Sequence, residues 1–284
     1  MSRPSDPGDP GEARGLGGDV TVAAHRHLEV TAGGAGPHRV DRVTAEQLEV
    51  AAWDQLALSR AQFLDAGEDI SYDRVLVPAL LGLLGPDPGR VLDAGCGVGR
   101  ATARIAEVAR EVVAVDPSVR SARLAAAHLA TLGNVEVRCG DVASAASRDA
   151  GSFDVCVALM VLQDVTDLDA FLDAAFRALR PGGRLVAVVT HPTGYPRYRG
   201  YAEADWFDPE EEVAVVAEFI TTRGATGVDT LHVHRPWNTY LTSLRYAGFT
   251  DVHTSEPTLS ARDGAEVGIT WSEPHFLAFT AHRP

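Results

Sequence analysis

Between Arg90 and Thr190 the chain alternates short apolar runs with longer amphipathic ones, and this rhythm restricts the fold more than any other feature. VLDA (91–94), VVAV (112–115), VEVR (135–138), FDVCVAL (153–159) and RLVAVVT (184–190) read as strands. Several are apolar at consecutive positions, as expected of strands covered on both faces. The segments between them have helical spacing. In TDLDAFLDAAFRALRPGG, for example, Leu168, Phe171, Leu172, Ala175 and Leu179 recur at helical intervals. Thr166 and Asp169 form a capping signal there, and Pro181-Gly182-Gly183 closes the segment. Such alternation predicts an α/β fold, a doubly wound parallel sheet with helices on both faces. Ligands of these sheets bind beyond the carboxyl ends of the strands, near the point where strand order reverses.

The flanking segments read differently. Residues 1–42, rich in Gly and Pro and without periodicity, predict a disordered N-terminal arm in which His25 and His27 are solvated. Residues 43–89 carry N-terminal helices. The first begins at TAEQ, with Thr44 as cap and Gln47 reaching back. The second starts after Ser71 and carries VLVPALLGLLG toward Gly85, with Pro78 forcing a kink or a late start. Residues 90–190 form the ligand-binding core, and 191–240 an insertion after strand five that contains the acidic run DWFDPEEE. Residues 241–284 continue the helix NTYLTSLRYAGF and add strands near 249–255 and 275–281.

Composition narrows the partners. With 284 residues, 45% of them hydrophobic, the chain can bury one large core. The formal net charge is −14 and every basic residue is an arginine, a balance that would not steer nucleic acid or an anionic membrane toward the protein. Cys96, Cys139 and Cys156 are odd in number and far apart, which suits a reducing compartment. No apolar run approaches the roughly 18 residues of a membrane span, and the first residues lack the apolar core of a signal peptide. These features predict a cytoplasmic protein.

The sharpest local feature is VLDAGCGVGR (91–100), a turn from strand to helix at which free backbone N–H groups and the helix dipole favour an anionic group. A dinucleotide site needs G-x-G-x-x-G, and counting from Gly95 its third glycine falls on Arg100. The observed spacing is G-x-G-x-G with Asp93 just before it, which argues against an NAD(P)-dependent oxidoreductase.

Five motifs in order then carry a resemblance over roughly residues 71–284. VLDAGCGVGR, VVAVDPS with Asp116, CGDVAS with Asp141, SFDVCVALMVLQDV and ALRPGGRLVAVVTHP together resemble the class I S-adenosylmethionine-dependent methyltransferases, in their small-molecule branch. The resemblance implies a Rossmann-like seven-stranded sheet whose last strand is antiparallel, completed by the two C-terminal strands, and S-adenosyl-L-methionine as cofactor. It implies that Gly95 and Gly97 let the backbone approach the methionine part of that cofactor, and that Asp93 helps hold its ammonium group. Asp116, followed by Pro117, would accept both ribose hydroxyls. Asp141 would accept from the adenine amino group while the Val142 N–H faces the ring. Ala158 and Leu159 would border the methionine end. Cys96 joins this set as a small buried filler, not a nucleophile. For Asp93 and Asp141 the alternative is a turn or cap carboxylate. A protein that binds the cofactor without transferring methyl, or a cyclase using it as fixed charge, is the rival function.

Methyl transfer from a sulfonium asks the protein mainly to position the acceptor and, where needed, to remove a proton. His191, directly after strand five, is the candidate base or orienting group, with backbone bonding by its ring as the alternative. His232 and His234 alternate along a strand and share a face, a weak metal signal. In some relatives the strand-four motif ends in two histidines, whereas this chain has Gln163-Asp164, so no acid–base role carries over from that position. Tyr195, Tyr198, Tyr201, Trp206 and Trp237 are concentrated in and just after the insertion, as a lid over an apolar substrate or as packing of the insertion itself.

Overall fold

The structure is a computed structural model that describes Met1 and residues 36–284. His25, His27 and the arm up to residue 35 lie outside the described residues. The elements run β1 (His38–Arg39), α1 (Arg42–Asp65), α2 (Val77–Leu84), β2 (Arg90–Ala94), α3 (Arg100–Ala106), β3 (Glu111–Asp116), α4 (Val119–His128), β4 (Val135–Cys139) and α5 (Val142–Arg148). They continue with β5 (Phe153–Leu159), α6 (Leu168–Ala178), β6 (Leu179–Thr190), α7 (Gly194–Tyr198), β7 (Val213–Thr221), β8 (Gly224–His234), α8 (Trp237–Ala247), β9 (Thr250–Ser255), α9 (Ala261–Val267) and β10 (Phe276–His282).

The main sheet has seven strands in the order β4-β3-β2-β5-β6-β10-β9. The five expected strands are parallel, and β10, the last in the chain, runs antiparallel to both β6 and β9. Consecutive apolar residues serve opposite faces. In β5, Val155, Val157 and Leu159 pack with α2 and α3, while Cys156 and Ala158 pack beneath α5, α6 and α8. The chain leaves β2 toward one edge and returns from β4 to β5, so the strand order reverses between β2 and β5. That reversal sets the crevice between the loops that follow these two strands.

Local details differ from the sequence reading. α1 is capped not by Thr44 but by Asp41, whose extended backbone stands outside the helix while its carboxylate accepts from the Thr44 N–H at 2.8 Å. Asp167 caps α6 in the same way by accepting from Ala170 N–H at 2.9 Å, which frees Thr166 for another partner. α6 ends at Ala178, before Leu179 and the expected stop at Pro181-Gly182-Gly183, and these residues open β6, where Gly182 and Gly183 exchange backbone hydrogen bonds with Arg283. Pro78 does not delay the helix: residues 70–84 are helical without a break, and a π-helical turn, Tyr72–Leu76, directly precedes α2 and the proline, where the regular bonding that Pro78 cannot join is rearranged.

The insertion folds into a second, antiparallel sheet, β1-β7-β8, which includes residues expected in the arm. α1 covers it: Ala45 packs with Val216, Leu231 and Val233, and Ala52 and Leu56 pack with Val228. The same helix is tied to the main domain. Glu49 accepts from Thr166 N–H at 3.0 Å and Oγ1–H at 2.6 Å, and Asp54 accepts from Ser118 Oγ–H at 2.8 Å and Arg120 N–H at 2.9 Å. Arg235, 1% exposed, locks the end of β8 to the loop after β5. Its guanidinium donates to the Leu162 and Val165 carbonyls and to Glu212, each at 2.7 Å. The second sheet is therefore bolted over the strand ends rather than hinged. Among the described residues no helix is long and apolar enough to cross a membrane.

Candidate active site

A cavity of about 1340 Å³ lies at the carboxyl edge of the main sheet, under α1 and against the second sheet. Asp93, Gly95, Cys96, Gly97, Asp116 and Pro117 line one end. Val161, Gln163, Asp164, Tyr195 and His232 also line it, as does Leu159 at the end of β5. Met160, the next residue, takes a left-handed backbone (φ 56°) that turns the chain sharply out of the sheet. That conformation is costly for a side chain with a Cβ, and strain of this kind gathers at binding sites.

The glycines do unequal work. A Cβ on Gly97, whose φ is +54°, would meet nothing within 4 Å, so the cavity reaches the backbone there. A Cβ on Gly95, whose φ is +85°, would strike Val161 at 2.5 Å, so the contact between the loops after β2 and β5 by itself requires a glycine there. The loop amides are also not free, contrary to expectation. The N–H groups of Gly95 and Cys96 both donate to the Val115 carbonyl, at 2.8 and 3.0 Å, and that of Gly97 donates to Asp116 at 2.8 Å. Amides committed to β3 make a poor cradle for a pyrophosphate, which is a physical argument against a dinucleotide. Asp116 accepts from Gly97 N–H through one oxygen and from Ser118 N–H at 2.9 Å through the other. Each oxygen keeps a second lone pair, enough for two hydroxyls of a ribose.

Asp93 is 1% exposed and accepts from Thr102 Oγ–H at 2.6 Å. Burial pushes its carboxyl up to about 6, against the Thr102 hydrogen bond and with the Asp116 charge adding to the effect. Burial raises Asp116 too. Two buried carboxylates at one end of a cavity suit a ligand with a cation and hydroxyls. Arg100 supplies the complement. It pairs with Asp65, while its Nε and Nη1 are buried without a partner, donors suited to a carboxylate. S-adenosyl-L-methionine carries an ammonium, a carboxylate and a ribose diol, and this donor and acceptor set fits it. Burial pushes the Cys96 thiol well up, so it stays a filler.

Not every expected residue is brought here. Asp141 spends its carboxylate on the α5 cap, accepting from Ser144 N–H at 2.8 Å, and does not line the cavity. The Val142 side chain, at the start of α5, and Ala158 are buried in the core, the latter because the alternation of β5 turns it to the face under α5 and α6. His191 is also displaced. Its Nδ1 accepts from Thr193 and Gly194 N–H at 3.2 and 3.0 Å, and Nε2 faces Glu256 at 3.3 Å. With Nδ1 spent on two backbone donors, the ring caps its own turn, and Thr190 rather than His191 borders the cavity.

The insertion aromatics divide. Tyr195 and Tyr198 line the cavity, Tyr201 and Trp206 stack on each other at 5.6 Å, and Trp237 packs on Phe279 in the core at 5.3 Å. His232 and His234 share a face as expected, but His234 bonds to the Pro209 carbonyl at 3.1 Å and only His232 of the pair reaches the cavity. Burial, helped by His234, Arg199 and Arg235, holds His232 well below its ordinary value and keeps it neutral. Asp164 is raised well above the carboxylate range by burial, against hydrogen bonds from Gln163 and Trp53. Sequence reasoning set Gln163-Asp164 aside as a departure from a motif; the pair in fact forms cavity wall.

A profile for a methyltransferase domain matches residues 92–187. The nocamycin O-methyltransferase of Saccharothrix syringae is 34% identical over 220 residues, which cover 72% of this chain and 75% of that one. The ubiquinone biosynthesis O-methyltransferase of Methylocella silvestris is 32% identical over 127 residues, 44% of this chain, and the match spans about half (47%) of that enzyme's length. Among solved structures, an S-adenosylmethionine dependent methyltransferase from Mesorhizobium loti superposes with a TM-score of 0.53 at 22% identity, covering 72% of this chain and 96% of that one. The 1,6-didemethyltoxoflavin-N1-methyltransferase of Burkholderia thailandensis, with S-adenosylhomocysteine bound, gives 0.55 at 20% identity over 88% and 99%. These structural likenesses bear on the fold.

Proposed function

The chain belongs to the class I S-adenosylmethionine-dependent methyltransferases, and from that premise we propose that it moves a methyl group onto a small, largely apolar molecule. Oxygen is the first choice of acceptor atom among O, N, S and C, since the relatives above are named for O-methylation. One observation carries the reading. The cavity, at about 1340 Å³, exceeds the roughly 300–1,000 Å³ of a pocket for one small ligand, and its two ends differ in chemistry.

The bound cofactor supplies an activated methyl group on a sulfonium. The chain's own residues do the rest. Asp116 would hold the ribose hydroxyls through its remaining lone pairs, Asp93 would face the ammonium, and Arg100 would offer its unpaired donors to the carboxylate. Gly97 allows close approach of the backbone. The second sheet and α1 exclude water and hold the acceptor against the strand ends. Free cysteines at 96, 139 and 156 and the acidic charge support a cytoplasmic enzyme of specialised metabolism, working without nucleic acid or membrane.

Saturating S-adenosylhomocysteine should raise the melting temperature, because a ligand of the native state stabilises it. No shift would sink the cofactor reading. A mass-spectrometric screen of metabolites with methyl-labelled cofactor identifies the acceptor, and a product heavier by one methyl group excludes a binding protein or cyclase.

A further inference from the structure

Three polar side chains on the cavity wall away from the glycine loop are uncommitted. Gln163 is 3% exposed, its amide donates to Asp164, and its Oε1 is buried without a partner. His232 makes no hydrogen bond through either ring nitrogen among the described residues; its ring lies 4.6 Å from that of Tyr195. The Tyr195 hydroxyl likewise has no hydrogen-bond partner among the described residues. A backbone bond from Val233 N–H to the Gln163 carbonyl, at 2.6 Å, ties the loop after β5 to β8 and sets Gln163 beside His232.

These groups adjoin a run of rings. Tyr195 neighbours Tyr198 at 6.2 Å, Tyr198 lies 4.5 Å from His275, and His275 stacks on Trp271 at 4.4 Å. Tyr195, Tyr198 and Trp271 all face the cavity. Ring faces that line a cavity in this way complement a conjugated ligand, which can stack on one ring and meet the edge of the next. Gln163 Oε1 can only accept, so an occupant must bring a donor to it. His232, kept neutral by burial and by Arg199, Arg235 and His234, presents a lone pair to a second donor.

We infer that Gln163, Tyr195 and His232 form the recognition end for the methyl acceptor, and that this acceptor is a planar, conjugated molecule carrying two adjacent hydrogen-bond donors, one of them a phenolic or enolic hydroxyl. His232 is thus the positioning group that His191 was expected to be. The inference rests on the methyltransferase reading, and binding tests the two separately.

With the protein saturated in S-adenosylhomocysteine, 2,3-dihydroxynaphthalene is titrated by tryptophan fluorescence beside 2,3-dimethoxynaphthalene, which has the same ring and no donors. Wild type should bind the diol at least about tenfold more tightly, the scale of unmatched buried acceptors. Gln163→Met and His232→Phe should each remove most of that preference while leaving the affinities for the dimethoxy compound and S-adenosylhomocysteine unchanged. Failure of wild type to bind the diol, equal binding of the two naphthalenes, or unchanged diol affinity in both variants overturns the inference. Failure of S-adenosylhomocysteine to bind wild type overturns the methyltransferase reading instead.

Discussion

Replacing Asp93 by asparagine should make the cofactor-free protein more stable at neutral pH and, at the same time, weaken its hold on the cofactor. The carboxyl is 1% exposed and burial lifts it from 3.8 to about 6. The folded protein therefore holds this proton more tightly than the unfolded chain does. The stability it contributes is fully present below about 3.8, declines as pH rises, and is gone above about 6, where a bare carboxylate sits in the core. The displacement corresponds to about 3 kcal/mol at pH 8 and about half that at pH 5. Asparagine carries no charge, and its carbonyl oxygen can still accept from Thr102 Oγ–H. Urea denaturation of Asp93→Asn should thus show a gain of up to about 3 kcal/mol at pH 8, shrinking to about 1.5 kcal/mol at pH 5. Calorimetric titration should show S-adenosylhomocysteine affinity falling by about 1.5–3 kcal/mol, since an amide cannot offset the ammonium. A variant less stable than wild type at pH 8, or a gain that does not grow with pH, would refute the reasoning.

Substitutions at three further residues read other parts of the site. Asp116→Ala should cost about 1.5–3 kcal/mol of S-adenosylhomocysteine affinity by calorimetry, and should lower stability by about 1–3 kcal/mol because the half-buried Gly97 and buried Ser118 N–H groups lose their acceptor. Unchanged affinity would mean that the ribose is held elsewhere. Arg235→Ala leaves the Leu162 and Val165 carbonyls without their donor, and chemical denaturation should register a loss of about 2–4 kcal/mol. Arg235→Lys should not restore it, for an ammonium lacks the guanidinium's fork. His191→Gln should leave turnover within a few-fold of wild type, because the ring serves its own turn; a drop of about 10²–10⁴ would return it to the chemistry.

What the chain's order of residues determined by itself is the part that rests on local period and steric need. Consecutive apolar residues in β3, β5 and β6 announce strands buried on both faces, and glycines at 95, 97 and 99 announce a turn that needs a left-handed backbone, which their positive φ values bear out. The end of β3 places Asp116 at the crevice because the topology of a doubly wound sheet leaves few alternatives. Caps were legible to within a few residues, since Asp and Thr compete for the same role and only the backbone path chooses between Asp41 and Thr44. Tertiary structure alone decided the rest. That the loop amides are spent on Val115 and Asp116 depends on the pairing of β2 with β3. Whether the His191 ring faces a ligand or its own backbone depends on how α7 folds back against it. The acceptor end joins Gln163, from the loop after β5, to His232, from a sheet built by the insertion and His38–Arg39. No periodicity marks that meeting, because the free energy that brings the two together is spread over the packing of α1, β8 and the buried Arg235 rather than written in either segment.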